Sequence, residues 1–205
     1  MKLIDGIKHK GSPFEIPDCS RNDLPDFFVK MGFKKGAEIG VYKGEFSEII
    51  AKSGLKLYSI DPWRIYKDFN NPRGQARLDE QYDNCKKLLS KYKNVEIIRK
   101  TSMEAIEDFE DESLDFVYID ANHDFRYIAE DLTEWTKKVR KGGIVSGHDY
   151  FYTKTGTNDV NWHVAYVLNA YLKAFNIPNF YLLGSKETKE GEKRDKWRSW
   201  MFLKP

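Results

Sequence analysis

From residue 36 onward the chain alternates short apolar runs with longer amphipathic stretches, and this alternation restricts the fold more than any other feature. The runs lie at 37–41, 55–60, 95–98, 114–119 and 143–146. Most are rich in β-branched residues, which suits strands buried on both faces of a parallel sheet. Between them, helices are predicted at about 45–53, 75–92, 102–108, 125–138 and 159–175. In the last of these, Val160, Val164, Val167, Leu168, Tyr171, Leu172 and Phe175 fall on one helical stripe. Strand–helix alternation of this kind implies a doubly wound α/β sheet. The pattern breaks at the end, where 180–183 and 197–203 read as strands joined by a charged loop, 185–196, with no helix between them. Two such strands pair antiparallel. The expected fold is a mostly parallel, seven-stranded, Rossmann-like sheet finished by an antiparallel C-terminal strand.

Residues 1–18 read as an irregular arm, and Ser20 is placed to cap a short helix over about 21–31. The expected division is an N-terminal arm and helix at 1–32 and one α/β domain at 33–205. Segment 62–75 is a Pro/Gly-broken connection, and 62–82 is a candidate lid with an ordinary surface loop as the alternative. No internal repeat is present.

A chain of 205 residues suits a single α/β domain and buries a core without staples. Its net charge of +2 lacks the basic excess of a protein built to hold nucleic acid. Cys19 and Cys85 show neither a pairing pattern nor metal-ligand spacing, which fits a reducing compartment. With no signal-length or membrane-length apolar run, the expected location is cytoplasmic, in a host cytoplasm if the chain is viral. No membrane partner is expected, and a homo-oligomer is compatible with the composition.

The most informative segment is 38–44, Glu-Ile-Gly-Val-Tyr-Lys-Gly, which ends the first run and opens a helix. Gly40 permits a tight turn and close approach by a ligand, and Gly44 permits a second approach at the helix start. The next run ends at Asp61, about twenty residues past the glycine turn, where an acid can accept hydrogen bonds from both hydroxyls of a ribose. Either feature alone is an ordinary turn; together they describe one nucleoside pocket. A dinucleotide site wants G-x-G-x-x-G and a pyrophosphate. Here Tyr42 lies between the glycines and Glu38 precedes them, and a carboxylate there repels a pyrophosphate but suits an amino group and a sulfonium. That sign of charge favours S-adenosylmethionine over NAD.

These segments resemble the class I S-adenosylmethionine-dependent methyltransferases, more narrowly the small-molecule O-methyltransferases related to catechol O-methyltransferase and to the macrocin-type sugar enzymes. The matching pieces are 38–47 (EIGVYKGEFS), 58–63 (YSIDPW), 117–135 (VYIDANHDFRYIAEDLTEW) and 137–150 (KKVRKGGIVSGHDY). The resemblance implies that Glu38, Gly40 and Gly44 line the methionine end of the cofactor, that Asp61 holds the ribose, and that Ser102 and Met103 lie near the adenine. Trp63 is then placed to stack on that ring, with a core aromatic as the alternative. Asp120 ends the fourth domain strand, and His148 and Asp149 end the fifth. Several relatives bind a divalent cation between these ends, so Asp120, His148 and Asp149 are the candidate ligands for magnesium or manganese, with no metal as the alternative. His123, three residues past Asp120, is the candidate general base with Asp120 as its catalytic partner; a capping or surface histidine is the alternative. Asn122 departs from an aspartate that the macrocin-type enzymes carry there, and an amide cannot take a proton.

The implied reaction is methyl transfer to a hydroxyl of a small molecule or sugar, with 62–82 and Tyr150–Tyr152 shaping the acceptor pocket. The alternatives are a ribose methyltransferase acting on nucleic acid, a non-catalytic nucleoside-binding module and an NAD-type oxidoreductase. Base N-methylation is disfavoured because the residues after Asp120, Ala-Asn-His, lack the prolines such enzymes carry.

Overall fold

The structure, a computed structural model, describes residues 1–66, 74–152, 162–184 and 197–205. Eight strands form one sheet: β1 Phe14–Ile16, β2 Lys35–Ile39, β3 Lys56–Ile60, β4 Val95–Ile98, β5 Leu114–Ile119, β6 Val139–Tyr150, β7 Tyr181–Leu183 and β8 Arg198–Leu203. Their order is β1-β7-β8-β6-β5-β2-β3-β4. Only β8 runs antiparallel to its neighbours, β6 and β7. The expected doubly wound sheet with an antiparallel C-terminal strand is therefore present, with one strand more than the seven expected.

The extra strand comes from the arm. Residues 1–18 are not irregular: α1 (Leu3–Gly6) is followed by β1, which pairs parallel with β7. Ile16 is fully buried and packs with Leu3, Leu24, Phe27 and Phe28, so burial outweighs the weak local signal. Pairing also covers an otherwise open sheet edge. Ser20 caps as expected: its side chain accepts from Asn22 N and the Asp23 carboxylate accepts from Ser20 N. The helix it starts begins as a single 3-10 turn, Arg21–Asp23, before α2 (Leu24–Lys30).

The remaining helices are α3 Glu45–Lys52, α4 Gly74–Leu89, α5 Ser102–Ala105, α6 Phe125–Lys138 and α7 Val164–Ala174. The α4 span means that 74–82 of the proposed lid is helix; 67–73, the start of the last predicted helix at 159–161 and the loop 185–196 lie outside the described residues. Side chains alternate across the sheet with the pleat. In β5, Phe116 and Tyr118 face α2 and α3, whereas Val117 and Ile119 face α6 and α7. Each face buries a continuous apolar layer; Trp135 and Leu168 anchor one, Phe28 and Phe116 the other.

β2 pairs with both β3 and β5, so the strand order reverses there. The chain leaves β2 through Gly40, whose N–H bonds Ile60 O at 2.9 Å. Gly40 has φ +88, and a Cβ on it would collide with the Asp120 carbonyl. The close approach that demands glycine is therefore by the end of β5 rather than by a ligand. Gly54 also has positive φ, at +83, but open space around it. Gly54→Ala should cost about 1 kcal/mol for the left-handed backbone alone, and Gly40→Ala should cost about 2 kcal/mol more because a backbone carbonyl must shift. Urea unfolding of the two variants checks this, and equal losses would remove the steric argument.

Candidate active site

A cavity of about 440 Å³ opens beyond the C-terminal ends of β2, β3 and β5, at the reversal point. Its walls include Gly40 and Tyr42, Asp61 to Tyr66 in part, Thr101 to Met103, Asp120 to Asn122, and Tyr127 and Asp131 of α6. Of the residues expected at the cofactor, Gly40, Tyr42, Asp61, Trp63, Ser102, Met103 and Asp120 line this space, and Glu38 and Gly44 do not.

Asp61 closes the glycine turn. Its Oδ2 accepts from Val41 N at 2.9 Å and Tyr42 N at 3.0 Å, and its Oδ1 accepts from Trp63 N at 2.8 Å. Burial pushes its carboxyl up, and these backbone donors push the other way. Gly44 turns toward α4 instead of the cavity: a Cβ there would sit 2.9 Å from Cys85 Sγ. Trp63 is 1% exposed, donates Nε1–H to Tyr42 O at 2.7 Å and packs on Tyr82. It is a buried aromatic that forms part of the cavity wall.

Glu38 lies beneath the turn at 2% exposure, where the Ser47 hydroxyl donates to it and Ser47 Oγ is 3.0 Å from Ser59 Oγ. Burial pushes its carboxyl up to about 8. It faces Ser47 and Ser59 and does not line the cavity. The reason is depth: β2 is a central strand, and the pleat turns residue 38 into the core.

Asp120 follows β5 and forms a second cluster with residues from two other elements. Ligand atoms of Asp120, His123 and Asp149 lie within 4.8 Å of one another. His123 Nε2 is 2.9 Å from Asp149 Oδ2 and 3.5 Å from Asp120 Oδ1, yet makes no hydrogen bond of acceptable geometry to either and is buried. Burial opposes charge on this imidazole, but the two carboxylates outweigh it and push it up to about 9. Asp149 is also buried, and the imidazoles of His123 and His148 outweigh that burial to hold its carboxyl well below the usual range.

The expected trio of Asp120, His148 and Asp149 is not the one that converges. Successive strand residues point to opposite faces. His148 stays behind Asp149, with Nδ1 3.2 Å from Asp149 Oδ1, and His123 takes its place. Two carboxylates and an imidazole form a donor set suited to a divalent cation. The buried Nε2 without a geometric partner is the observation that fits such an ion.

Several neighbours of this cluster were not legible in the sequence. Arg21 reaches from the arm to Asp120 Oδ2 at 3.3 Å. Only the Ser20 cap signal locates the turn that carries it. His163, expected inside a helix, precedes α7 and joins two elements: its N–H bonds His123 O and its Nδ1 accepts from Phe125 N, both at 3.0 Å. Trp162 stacks on His123 at 4.7 Å, and Phe151 packs against Trp162 and Trp197. Tyr150 and Tyr152 are both donated to by Asn169 Nδ2 of α7 at 3.0 Å. Asn122 closes the loop before α6, accepting from Asp124 N and donating to the Tyr66 hydroxyl.

The strand order, the cavity at its reversal point and the acid-tethered glycine turn define the class I, S-adenosylmethionine-dependent methyltransferases. Residues 37–150 match a family described as a methyltransferase domain, and the chain belongs to that family. A protein of Sinorhizobium fredii, described as uncharacterized protein y4gI, is 30% identical over 170 residues, covering 75% of this chain and 17% of that one. The chain therefore spans less than a fifth of the length of that curated relative. Among solved structures, the O-methyltransferase TomG of Streptomyces achromogenes, in complex with S-adenosylmethionine, has a TM-score of 0.65 at 15% identity over 90% of this chain and 79% of that one. An O-methyltransferase of Bacillus cereus in complex with S-adenosylhomocysteine has a TM-score of 0.61 at 15% identity over 90% and 80%. The N-methyltransferase NodS of Bradyrhizobium japonicum has a TM-score of 0.56 at 15% identity over 90% and 94%. At such identities the likeness is one of fold. Among the described residues no helix is long and apolar enough to cross a membrane.

The buried Glu38 generates a pH dependence. Its folded value, about 8, lies above the ordinary 4.5, so the folded chain keeps a proton that the unfolded chain loses between these values. The stability of Glu38→Gln relative to wild type should thus rise from pH 5 to pH 8, by at most about 1.4 kcal/mol per unit. Chemical unfolding across that range tests it, and a pH-independent difference would mean that the carboxyl is charged when folded.

Proposed function

We propose that the protein transfers the methyl group of S-adenosylmethionine to a hydroxyl oxygen of a small molecule or sugar, with a divalent cation at the acceptor. The single observation that carries this reading is the position of Asp120, which belongs both to the wall of the nucleoside-sized cavity and to the carboxylate–imidazole cluster. A donor in the cavity and an acceptor at the cluster would meet at this side chain. Residues 33–205 are the methyltransferase domain in this reading, and 1–32 are the arm that delivers Arg21.

The donor carries its methyl group on a sulfonium and so supplies the activated carbon. Gly40, the backbone of 41–42 and Asp61 shape its seat, with Asp61 as the acceptor for ribose hydroxyls. Asp120, His123 and Asp149 are the residues that would hold the cation, with His123 in place of His148. Magnesium or manganese there would supply a Lewis acid that lowers the pKa of the acceptor hydroxyl. The chain's own task is then alignment: Asp120 orients the acceptor toward the cavity, His163 holds the backbone of His123 and Trp162 stacks on its ring. Bringing oxygen and methyl carbon to about 3 Å in line supplies much of the acceleration. Phe151, Trp162 and Trp197 form an apolar flank beside the cluster that suits the body of a small acceptor. No nucleic-acid or membrane partner is part of this reading, and its setting is cytoplasmic.

Calorimetry with S-adenosylhomocysteine, together with methyl transfer to a panel of hydroxyl compounds with and without magnesium or manganese, tests the proposal. Asp61→Ala should weaken cofactor affinity roughly tenfold or more by removing a buried acceptor. His123→Ala and Asp149→Ala should leave that affinity within about threefold and slow turnover by about a hundredfold to ten-thousandfold. Equal loss of affinity in all three variants would refute the division of roles. Absence of any heat with the cofactor would refute the function.

A further inference from the structure

Each carboxylate of the Asp120–His123–Asp149 cluster has one of its two oxygens engaged by a group outside the trio. Arg21 Nη1 donates to Asp120 Oδ2 at 3.3 Å, and His148 Nδ1 lies 3.2 Å from Asp149 Oδ1. The opposite oxygens, Asp120 Oδ1 and Asp149 Oδ2, are the ones that face His123 Nε2, at 3.5 and 2.9 Å. That nitrogen is buried and makes no hydrogen bond of acceptable geometry. The cluster therefore presents one oxygen from each acid and one nitrogen, instead of two chelating carboxylates. Arg21 is held in place for this contact. It opens the 3-10 turn that Ser20 caps, its guanidinium lies 5.4 Å from the centre of the Phe46 ring, and it bonds the buried Tyr118 hydroxyl, two residues before Asp120 on the same face of β5.

We propose that Arg21 of the arm sets the ion selectivity of the cluster by holding Asp120 to a single ligand oxygen, with His148 acting likewise on Asp149. This rests on the reading that the cluster takes a divalent cation. Calcium takes about six to eight oxygens and readily draws both from one carboxylate. Magnesium is smaller, demands near-octahedral geometry and keeps several waters, so single carboxylate oxygens suit it, and manganese shares its preference for an octahedral oxygen shell. A carboxylate whose second oxygen is bonded to a guanidinium must break that bond before it can chelate. The penalty falls on calcium, the ion that gains from chelation. Charge alone does not discriminate, because the guanidinium repels every divalent ion to about the same degree. Arg21 is thus a positioning residue, acting on the ion through Asp120.

Calorimetry of the full chain with manganese and with calcium chloride tests this. The wild type should bind manganese roughly tenfold to hundredfold more tightly than calcium. Arg21→Met keeps an apolar stem beside Phe46 but has no donor. In it the calcium affinity should rise more than the manganese affinity, narrowing the ratio by about tenfold. Arg21→Lys returns a donor and the charge and should restore much of the ratio. His148→Phe removes the contact to Asp149 Oδ1 and should narrow the ratio independently, so the test survives if one variant fails its thermal melt. Equal wild-type affinity for the two ions, or an equal change for both in the folded variants, would overturn the inference while leaving the cation assignment intact. A wild type that binds neither ion would overturn the cation at the acceptor and this inference with it, while the cofactor seat is judged separately by S-adenosylhomocysteine.

Discussion

Parallel pairing of β2 with both β3 and β5 is the constraint on which the rest depends. The chain leaves β2 into α3 on one face of the sheet and leaves β5 into α6 on the other. The backbone therefore diverges past the strand ends, and a cavity is left where the loops part. The register sets which residues reach it: Ile39 stands opposite Ile60 on one side and Ile119 on the other, so Gly40, Asp61 and Asp120 all emerge at one level. Gly40 can sit there because it has no Cβ to strike the Asp120 carbonyl.

Four of the carboxyls at or beneath this rim take different characters from their surroundings. Glu38 and Asp131 face hydroxyl groups within the core, and burial raises both. Asp61 is buried too, but three backbone N–H groups oppose the rise, so it works as a structural tether as well as a candidate ribose acceptor. Asp149 has an imidazole beside each of its oxygens and stays ionised. Residue type alone would assign all four the same charge; the partners decide.

Most of the sheet was readable because buried parallel strands leave short apolar runs, and 95–98 and 114–119 match β4 and β5 to the residue. The arm was misread as irregular because three residues of strand carry almost no periodic signal; pairing with β7 and the burial of Ile16 fix β1. Within the site, the glycine turn and Asp61 were legible because twenty residues of strand–helix–strand have a fixed span. The convergence of Asp120 with His123 rather than His148 depends on which way each side chain leaves the backbone, and motif spacing does not encode that. Arg21, 99 positions from Asp120, is a contact that no local pattern announces.

The arm's attachment has a consequence for the order in which the molecule is completed. Gly11 is held by Asn179, 168 positions further on, and β1 rests on β7, which in turn rests on β8. β1 therefore has its sheet partner only once β7 is in place, so this edge of the sheet closes through contacts made across a long stretch of sequence. The turn that carries Arg21 leads into α2, which is anchored separately by Phe28 stacked on Phe116 of β5.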